Sequence, residues 1–473
     1  VIAPARSLAF ETIRETFEAD AFTERAFRAG AERLGLDGRE RAQAQRLAYG
    51  AVQRRGTSDA AIERLAGRST RLLDPPVLAG LRLGLYELLF ADGTPDHAAV
   101  DQAVELVKGA GAAHASGLVN AVLRRATRER VQLTAALLED DSTPEAAAVA
   151  HSAPLWLARM WWDELGPEVA RSLLAACNQP AEVGVRVAPR SLRKESDMDA
   201  CERGAPIALD REAVLAKLRE AGVEAHIPAD NWPLAAPESI VIEGRTGNAV
   251  PAMVEAGELT PQSRGSTAVV EVLDPHEGEH LLDLCAGPGI KTGQIAARMS
   301  DRGEVISVEL DSNRAEEIAA QARRLGLRSV SVFEADAAAM EMAPGFDRVL
   351  LDAPCSDLGA LASRPDARWR KSPKTIERLV EVQERALLGA AQVLRPGGIL
   401  VYATCTISRR ENEDRVAALL AAAAAGQAPP LELEDLGARA PGLASPLEPR
   451  CLQLRPDRDR TTGFFIARLK RHD

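Results

Sequence analysis

Along the first 130 positions apolar residues recur at three- and four-residue intervals, the spacing that lines one face of a helix. The run Leu81-Arg82-Leu83-Gly84-Leu85-Tyr86-Glu87-Leu88-Leu89 predicts a well-buried helix, and the breaks are short turns such as Asp37-Gly38 and Asp74-Pro75-Pro76. An all-α domain over 1–132 is the plain reading. The pattern then mixes. Residues 156–177 read as a helix stopped by Asn178-Gln179-Pro180, 183–187 as a strand, 211–221 as a helix and 239–243 as a strand. This predicts a small α+β linking domain over 133–275. From 276 to 473 short apolar strands at 280–284, 305–310, 329–333, 348–352, 399–404 and 464–469 alternate with helical segments, the alanine-rich 417–425 among them. Such alternation predicts a mostly parallel, doubly wound, Rossmann-like α/β sheet.

Composition adds little beyond this outline. A chain of 473 residues with 46% apolar and 27% charged side chains has the make-up of a globular protein of two or three domains. No apolar run reaches the roughly 18 residues of a membrane helix, and residues 1–10 carry no secretory pattern, so a cytoplasmic protein is expected. The six cysteines (Cys177, Cys201, Cys285, Cys355, Cys405 and Cys451) form no C-x-x-C pair, which argues against zinc and against a disulfide scaffold. They are therefore buried apolar residues or reactive ones. We expect no bound metal, no membrane association and a monomer.

A net charge of −11 speaks at first against a nucleic-acid partner, yet residues 1–130 hold 19 basic and 17 acidic side chains. Basic clusters stand out at Arg124, Arg125, Arg128 and Arg130, and at Arg364, Arg368, Arg370, Lys371 and Lys374. Such runs are usually solvated faces. Charge alone leaves the partner open.

In an open α/β sheet ligands bind at the carboxyl ends of the strands. Here the first strand carries Asp283 and runs into Leu284-Cys285-Ala286-Gly287-Pro288-Gly289-Ile290-Lys291-Thr292. Gly287 and Gly289 let the backbone approach a ligand, and a helix starting near Lys291 offers unpaired amides to a carboxylate. The glycine–lysine spacing is not that of a phosphate-binding loop. Glu309 ends the second strand 25 residues after Leu284, near the spacing at which an acid grips ribose hydroxyls. Asp336 follows the third strand and Asp352 ends the fourth. One acid could simply cap a helix; several at successive strand ends favour a nucleoside ligand, and a cationic sulfonium suits them.

Two cysteines reach the same edge. The fourth strand delivers Asp352-Ala353-Pro354-Cys355-Ser356, and the next, after Pro396-Gly397-Gly398, delivers Tyr402-Ala403-Thr404-Cys405-Thr406. Either alone is more often a buried apolar residue; two at adjacent strand ends beside a cofactor turn point to chemistry. A thiolate added to carbon 6 of cytosine makes carbon 5 enamine-like, able to attack a sulfonium methyl. An attacking thiol needs a lowered pKa, to which a helix N-terminus would contribute. Ser408 and Glu411 have capping-box spacing, and by residue type Glu411-Asn412-Glu413 reads as that cap.

With these motifs in place (Asp283 to Thr292, Asp352 to Ser356, Arg364-x-Asp366 with Trp369, Tyr402-x-Thr404-Cys405, Glu411-Asn412-Glu413 and Gly463-Phe464-Phe465) the chain resembles the NOL1/NOP2/Sun family of RNA cytosine-carbon-5 methyltransferases. The resemblance implies Cys405 as nucleophile and Cys355 as the residue aiding release. It implies S-adenosyl-L-methionine as cofactor, held by Cys285, Ala286, Gly287, Pro288, Gly289, Ile290, Lys291, Glu309, Asp336 and Asp352. Leu47-x-Tyr49-Gly50, Leu81-x-Leu83-Gly84-x-Tyr86 and Leu118 to Arg124 resemble the NusB-type RNA-binding fold. NusB-like domain plus catalytic domain is the arrangement of the bacterial RsmB (Sun) type, which implies small-subunit (16S) ribosomal RNA as partner.

This chain departs from the family pattern in places. Ile290 stands at a usual glycine, which matters if that position needs a positive φ. Asp357 stands at a usual small residue, Arg409-Arg410 at a usual Pro-Glu and Gln262-Ser263 at a usual Gln-Asp. Two other readings fit part of the pattern: a DNA cytosine-carbon-5 methyltransferase attacking through the Pro-Cys thiol, and a non-catalytic RNA-binding ribosome assembly factor.

Overall fold

The helical periodicity of the N-terminal region is realised in the computed structural model as helices Pro4–Glu18, Thr23–Leu34, Gly38–Gln53, Arg55–Ala66, Pro75–Leu89, Asp96–Gly109 and Ser116–Arg128. The structure describes residues 2–188, 211–229, 231–244, 246–339 and 342–473; Cys201 lies outside them. Helix starts follow local chemistry. Asp37 accepts from the Glu40 amide at 2.7 Å, and Pro75 opens the helix after Asp74. Gly35 and Gly67 end two helices in the left-handed conformation. Leu47, Ala51, Leu81, Leu85, Val107 and Leu123 fill the core. A Cβ at Gly50 would collide with the Tyr86 ring, so the Tyr49-Gly50 and Gly84-x-Tyr86 signatures are two halves of one helix contact.

The helical unit continues past residue 132 through Arg130–Leu138, Pro144–Ala150, Leu155–Leu165 and Pro167–Ala176. The single helix expected over 156–177 is two, because Gly166 at φ +83° breaks the first and Pro167 opens the second. The packing gives two compact units: Val1–Pro180 with Leu361–Ser372, and Ala181–Ala360 with Pro373–Asp473. The segment expected to link two domains thus divides at Pro180, its helices on one side and its sheet on the other.

The second unit contains two sheets. Val183–Val187 (β1), Glu224–His226 (β2), Ser239–Glu243 (β3) and Leu259–Pro261 (β4) form an antiparallel sheet in the order β2-β3-β1-β4 around Val185, Val187, Leu218, Ile240 and Ile242. The larger sheet comprises His280–Leu284 (β5), Glu304–Glu309 (β6), Val330–Glu334 (β7), Phe346–Asp352 (β8), Leu394–Thr404 (β9), Leu431–Leu433 (β10), Leu452–Leu454 (β11) and Phe464–Arg471 (β12). Its order is β10-β12-β9-β8-β5-β6-β7, with β11 also paired to β12. The strands from β9 to β7 are parallel, and β12 runs antiparallel to β9. This is the expected Rossmann-like fold. Chain order reverses between β5 and β8, so the crevice for a ligand opens at their carboxyl ends. Among the described residues no helix is long and apolar enough to cross a membrane.

Residues Leu361–Ser372 leave this unit and belong to the helical one. Arg368, 1% exposed, donates to the carbonyls of Ser152 at 3.0 Å, Cys177 at 2.9 Å and Leu361 at 3.3 Å, and to Asn178 Oδ1 at 3.2 Å. Trp369 Nε1 donates to the Val52 carbonyl at 2.8 Å, and Arg370 to that of Asp20 at 2.8 Å. The Arg364-x-Asp366 and Trp369 motif therefore lies in the helical unit, and its basic residues are partly consumed by backbone carbonyls. Arg368→Ala would strand these buried acceptors and is expected to destabilise the helical unit by about 3 kcal/mol. Calorimetry of the full chain should show its transition lowered by roughly 5–10 °C. Arg368→Lys should recover only part, because one ammonium cannot span the same carbonyls. An unshifted transition would remove Arg368 from this role.

Candidate active site

The turn after β5 takes the shape its glycines suggest. Cys285 sits at φ +60°, Gly287-Pro288 is a cis peptide, and Gly289 at φ +91° precedes the helix Ile290–Arg298. Ile290 is the first helical residue and has no positive φ, so the departure from glycine imposes no strain there. Gly287 approaches the end of β6 so closely that a Cβ would strike the Glu309 carboxylate and the Arg314 side chain. Its amide donates to Glu309 Oε2 at 2.9 Å, while Glu309 Oε1 accepts from the amides of Leu310 and Asp311 at 3.0 and 3.1 Å. Glu309 thus ties two strand-end turns together.

Asp283 is fully buried. Thr292 Oγ1 donates to one of its oxygens at 2.6 Å, and the other has no hydrogen-bond partner. Burial pushes its pKa up to about 7, the Thr292 hydroxyl opposes this, and neighbouring Asp352 and Glu309 add to it. Across the crevice Lys291 Nζ meets Asp352 Oδ2 at 2.5 Å and lies 5.1 Å from the Phe464 ring centre. Asp336 is exposed and accepts from the Ala338 amide at 2.9 Å. The turn residues Cys285 to Lys291, with Glu309 and Asp352, are therefore gathered around the β5–β8 crevice; Asp336 follows β7 on the outer side of β6.

The two thiols predicted from strand ends are in contact, with Cys355 Sγ 3.3 Å from Cys405 Sγ. Cys405 also donates to Asp357 Oδ1 at 3.1 Å. Cys355, Asp357 and Cys405 form one cluster of donor atoms within 4.8 Å of each other. The expectation of a lowered thiol pKa is overturned. The contact with Cys355, then burial, then the charges of Asp357 and Asp352 hold the Cys405 thiol well above its ordinary value. Nor does a helix start beside it: the next begins at Glu413.

The capping box is not formed either. Ser408 Oγ has no hydrogen-bond partner, and Asn412 occupies the position before the helix. Glu411, fully buried, instead accepts from the Ser356 amide at 2.9 Å, from the Ser356 hydroxyl and from Gln383 Nε2 at 3.2 Å. Its carbonyl accepts from Tyr402 OH at 2.6 Å. Asn412 Oδ1 accepts from Thr404 Oγ1 at 2.6 Å, and its Nδ2 donates to the Thr406 carbonyl at 3.1 Å. Glu411 holds the loop of Cys355, and Asn412 both neighbours of Cys405. Residue type suggested only a cap; the signal that could have separated the readings was a full Glu-Asn-Glu run this close to the second cysteine.

Two other departures have local explanations. Ser263 accepts from the Ser266 amide at 3.3 Å and caps the helix Arg264–Leu273, a task that aspartate performs equally. Gln262 bridges Arg186 at 2.9 Å and Gln294 at 2.6 Å. Arg409 pairs with Asp414 at 3.1 Å on the surface.

Residues 270–470 match the model of the 16S rRNA methyltransferase RsmB/F family, and residues 3–128 that of the NusB family. A probable ribosomal RNA small subunit methyltransferase B of a Synechocystis species is 31% identical over 472 residues, covering 99% of each chain. The Bacillus subtilis protein of the same name is 30% identical over 470 residues, covering 98% of each. The crystal structure of a methyltransferase homologue from Pyrococcus horikoshii is 25% identical with a TM-score of 0.55, covering 69% of this chain and 97% of that one.

Glu411→Ala leaves the Ser356 amide and hydroxyl and one Gln383 donor without their buried acceptor. We expect a loss of about 3 kcal/mol and slower diamide-driven disulfide formation between Cys355 and Cys405, followed by peptide mass spectrometry. Glu411→Gln should retain most of both properties. An unchanged cross-linking rate in Glu411→Ala would mean that the two loops hold themselves.

Proposed function

We propose that this chain, which belongs to the RsmB/F family of 16S rRNA methyltransferases, methylates carbon 5 of a cytosine in small-subunit ribosomal RNA through a covalent bond from Cys405 to the base. The observation that carries the reading is the pair of thiols 3.3 Å apart at the carboxyl ends of adjacent strands, beside the glycine-rich turn.

The residues at the β5–β8 crevice fit S-adenosyl-L-methionine. Asp283 has a buried oxygen without a partner, and Gly287 leaves backbone where a side chain would not fit. The helix Ile290–Arg298 presents its first amides to the crevice edge, and Glu309 stands where an acid meets ribose hydroxyls. Cys285 to Lys291, Glu309, Asp336 and Asp352 would hold the cofactor, which supplies an electrophilic methyl on a cationic sulfur. Cys405 Sγ bonds to carbon 6 of the pyrimidine, and the ring electron pair moves to carbon 5, which takes the methyl. Carbon 5 then gives up its proton to water, the C–H electron pair restores the ring double bond, and the carbon–sulfur bond breaks with its pair on Cys405 Sγ. Cys355, in contact with Cys405, assists this release. The NusB-like residues 1–132 serve as the RNA-binding module and 276–473 as the catalytic domain of a cytoplasmic, metal-free monomer, the intervening 133–275 being shared between the two compact units at Pro180.

The test uses full-length protein and 16S rRNA from cells lacking the gene. Cys405→Ala should abolish methyl transfer, and Cys355→Ala should accumulate a protein–RNA adduct that survives denaturing gels. An adduct from Cys405→Ala instead would swap the two roles and match the Pro-Cys chemistry of DNA enzymes. Bisulfite-resistant cytosines in ribosomal RNA should vanish when the gene is removed. A folded protein with no calorimetric binding of S-adenosyl-L-methionine would point to an assembly factor.

A further inference from the structure

The attacking atom must lose a proton before or as it bonds to carbon, and the surroundings of Cys405 do not favour a standing thiolate. The groups that act on it are Cys355, Asp357 and Asp352, and Lys291 is paired with Asp352. No helix N-terminus adjoins it in sequence, the next helix starting at Glu413. A half-buried thiol held above its ordinary value by the Cys355 contact, burial and nearby carboxylates needs a proton acceptor in hydrogen-bond contact in order to attack.

Asp357 meets that requirement. It stands at φ +60°, in the left-handed region that aspartate tolerates better than most residues. That backbone conformation directs its carboxylate to the sulfur, with Oδ1 3.1 Å from Cys405 Sγ. The loop is fixed on both sides: the Gly359 amide donates to the Cys405 carbonyl at 3.0 Å, and the Ala360 amide to that of Asp357 at 3.0 Å. Contact distance, half-buried position and a held loop are the geometry of a general base.

Resting on the cysteine chemistry above, we propose that Asp357 is a catalytic residue, the acceptor of the Cys405 thiol proton. As the S–H bond breaks, an O–H bond forms on Asp357. The sulfur pair forms the bond to carbon 6, and the electron pair of the 5,6 double bond moves onto carbon 5. When the carbon–sulfur bond later breaks, the departing sulfur takes the same proton back from Asp357, which resets the carboxylate.

Two effects of Asp357 run in opposite directions, and that separates this role from a structural one. Its charge disfavours the free thiolate, so Asp357→Asn should speed alkylation of Cys405 by iodoacetamide at pH 7 by about tenfold, read by peptide mass spectrometry. As a proton acceptor it favours attack, so the same variant should slow single-turnover methylation of the 16S rRNA by about 100-fold at pH 7. The deficit should shrink as pH rises towards 9, where hydroxide replaces the lost base. Asp357→Glu should restore part of the rate. Wild-type methylation by Asp357→Asn across this pH range would overturn the proposal. So would a parallel fall in alkylation and methylation, the signature of a displaced loop. Asp357→Gly guards against an artefact of the asparagine side chain and should give the same pattern. The alkylation arm needs no RNA: if wild-type protein methylates nothing, the activity reading fails while the Asp357–Cys405 coupling is still measured.

Discussion

The arrangement of the site depends on one buried carboxylate. Glu411 lies beyond the end of β9 and accepts three hydrogen bonds from residues outside that strand's own turn, two of them from Ser356. Burying an acid away from water is costly unless its oxygens are satisfied, and here the satisfaction comes from the loop that carries Cys355. The adjacent Asn412 does the same for Thr404 and Thr406 on either side of Cys405. Two loops that sequence separates by fifty residues are thereby fixed against one another, and the sulfur contact follows from the clamp. A loop pair tied only by its thiols would have no reason to keep that spacing during a reaction in which one sulfur becomes carbon-bonded.

This clamp also marks what could and could not be read from sequence. The strands were legible because parallel strands buried on both faces are nearly continuous apolar runs. β5 spans the very residues the pattern indicates, and β6 and β8 lie within two residues of theirs. The chemistry-bearing positions were legible because strand ends are, and Cys355 and Cys405 arrive three and one residues past adjacent strands. Partner choice was not. Ser408 and Glu411 satisfy the spacing of a capping box, yet the glutamate finds donors on another loop, and only tertiary packing decides between the two. The helical break at Gly166-Pro167 is written in the residue types, but the apolar periodicity continues across it and masks the stop.

The same limit applied to electrostatics. A reactive thiol is expected to be acidified, and that rule presumes a nearby cation or helix N-terminus. Neither can be inferred from spacing, because both depend on what the fold brings alongside. Here the contact with Cys355 and burial raise the thiol instead, and the neighbouring carboxylates add to it. The rule is not violated so much as inapplicable. A thiol kept protonated is protected from oxidation and alkylation between turnovers, at the cost of needing a proton acceptor at the moment of attack.

The sign of charge along this edge serves selection as well. Asp283, Glu309, Asp352 and Asp357 gather at the ends of neighbouring strands, and Lys291 is committed to Asp352. Burial raises Asp283, and the charges of Asp352 and Glu309 add to that shift. Such an edge holds a cationic sulfonium better than a neutral thioether, since the attraction disappears with the positive charge when the methyl leaves. Ligand and product differ by one methyl group and one charge, and of the two the charge is the larger handle. At the proposed site, electrostatics of this sign would favour the methyl donor over its spent form without a pocket that measures a single carbon atom.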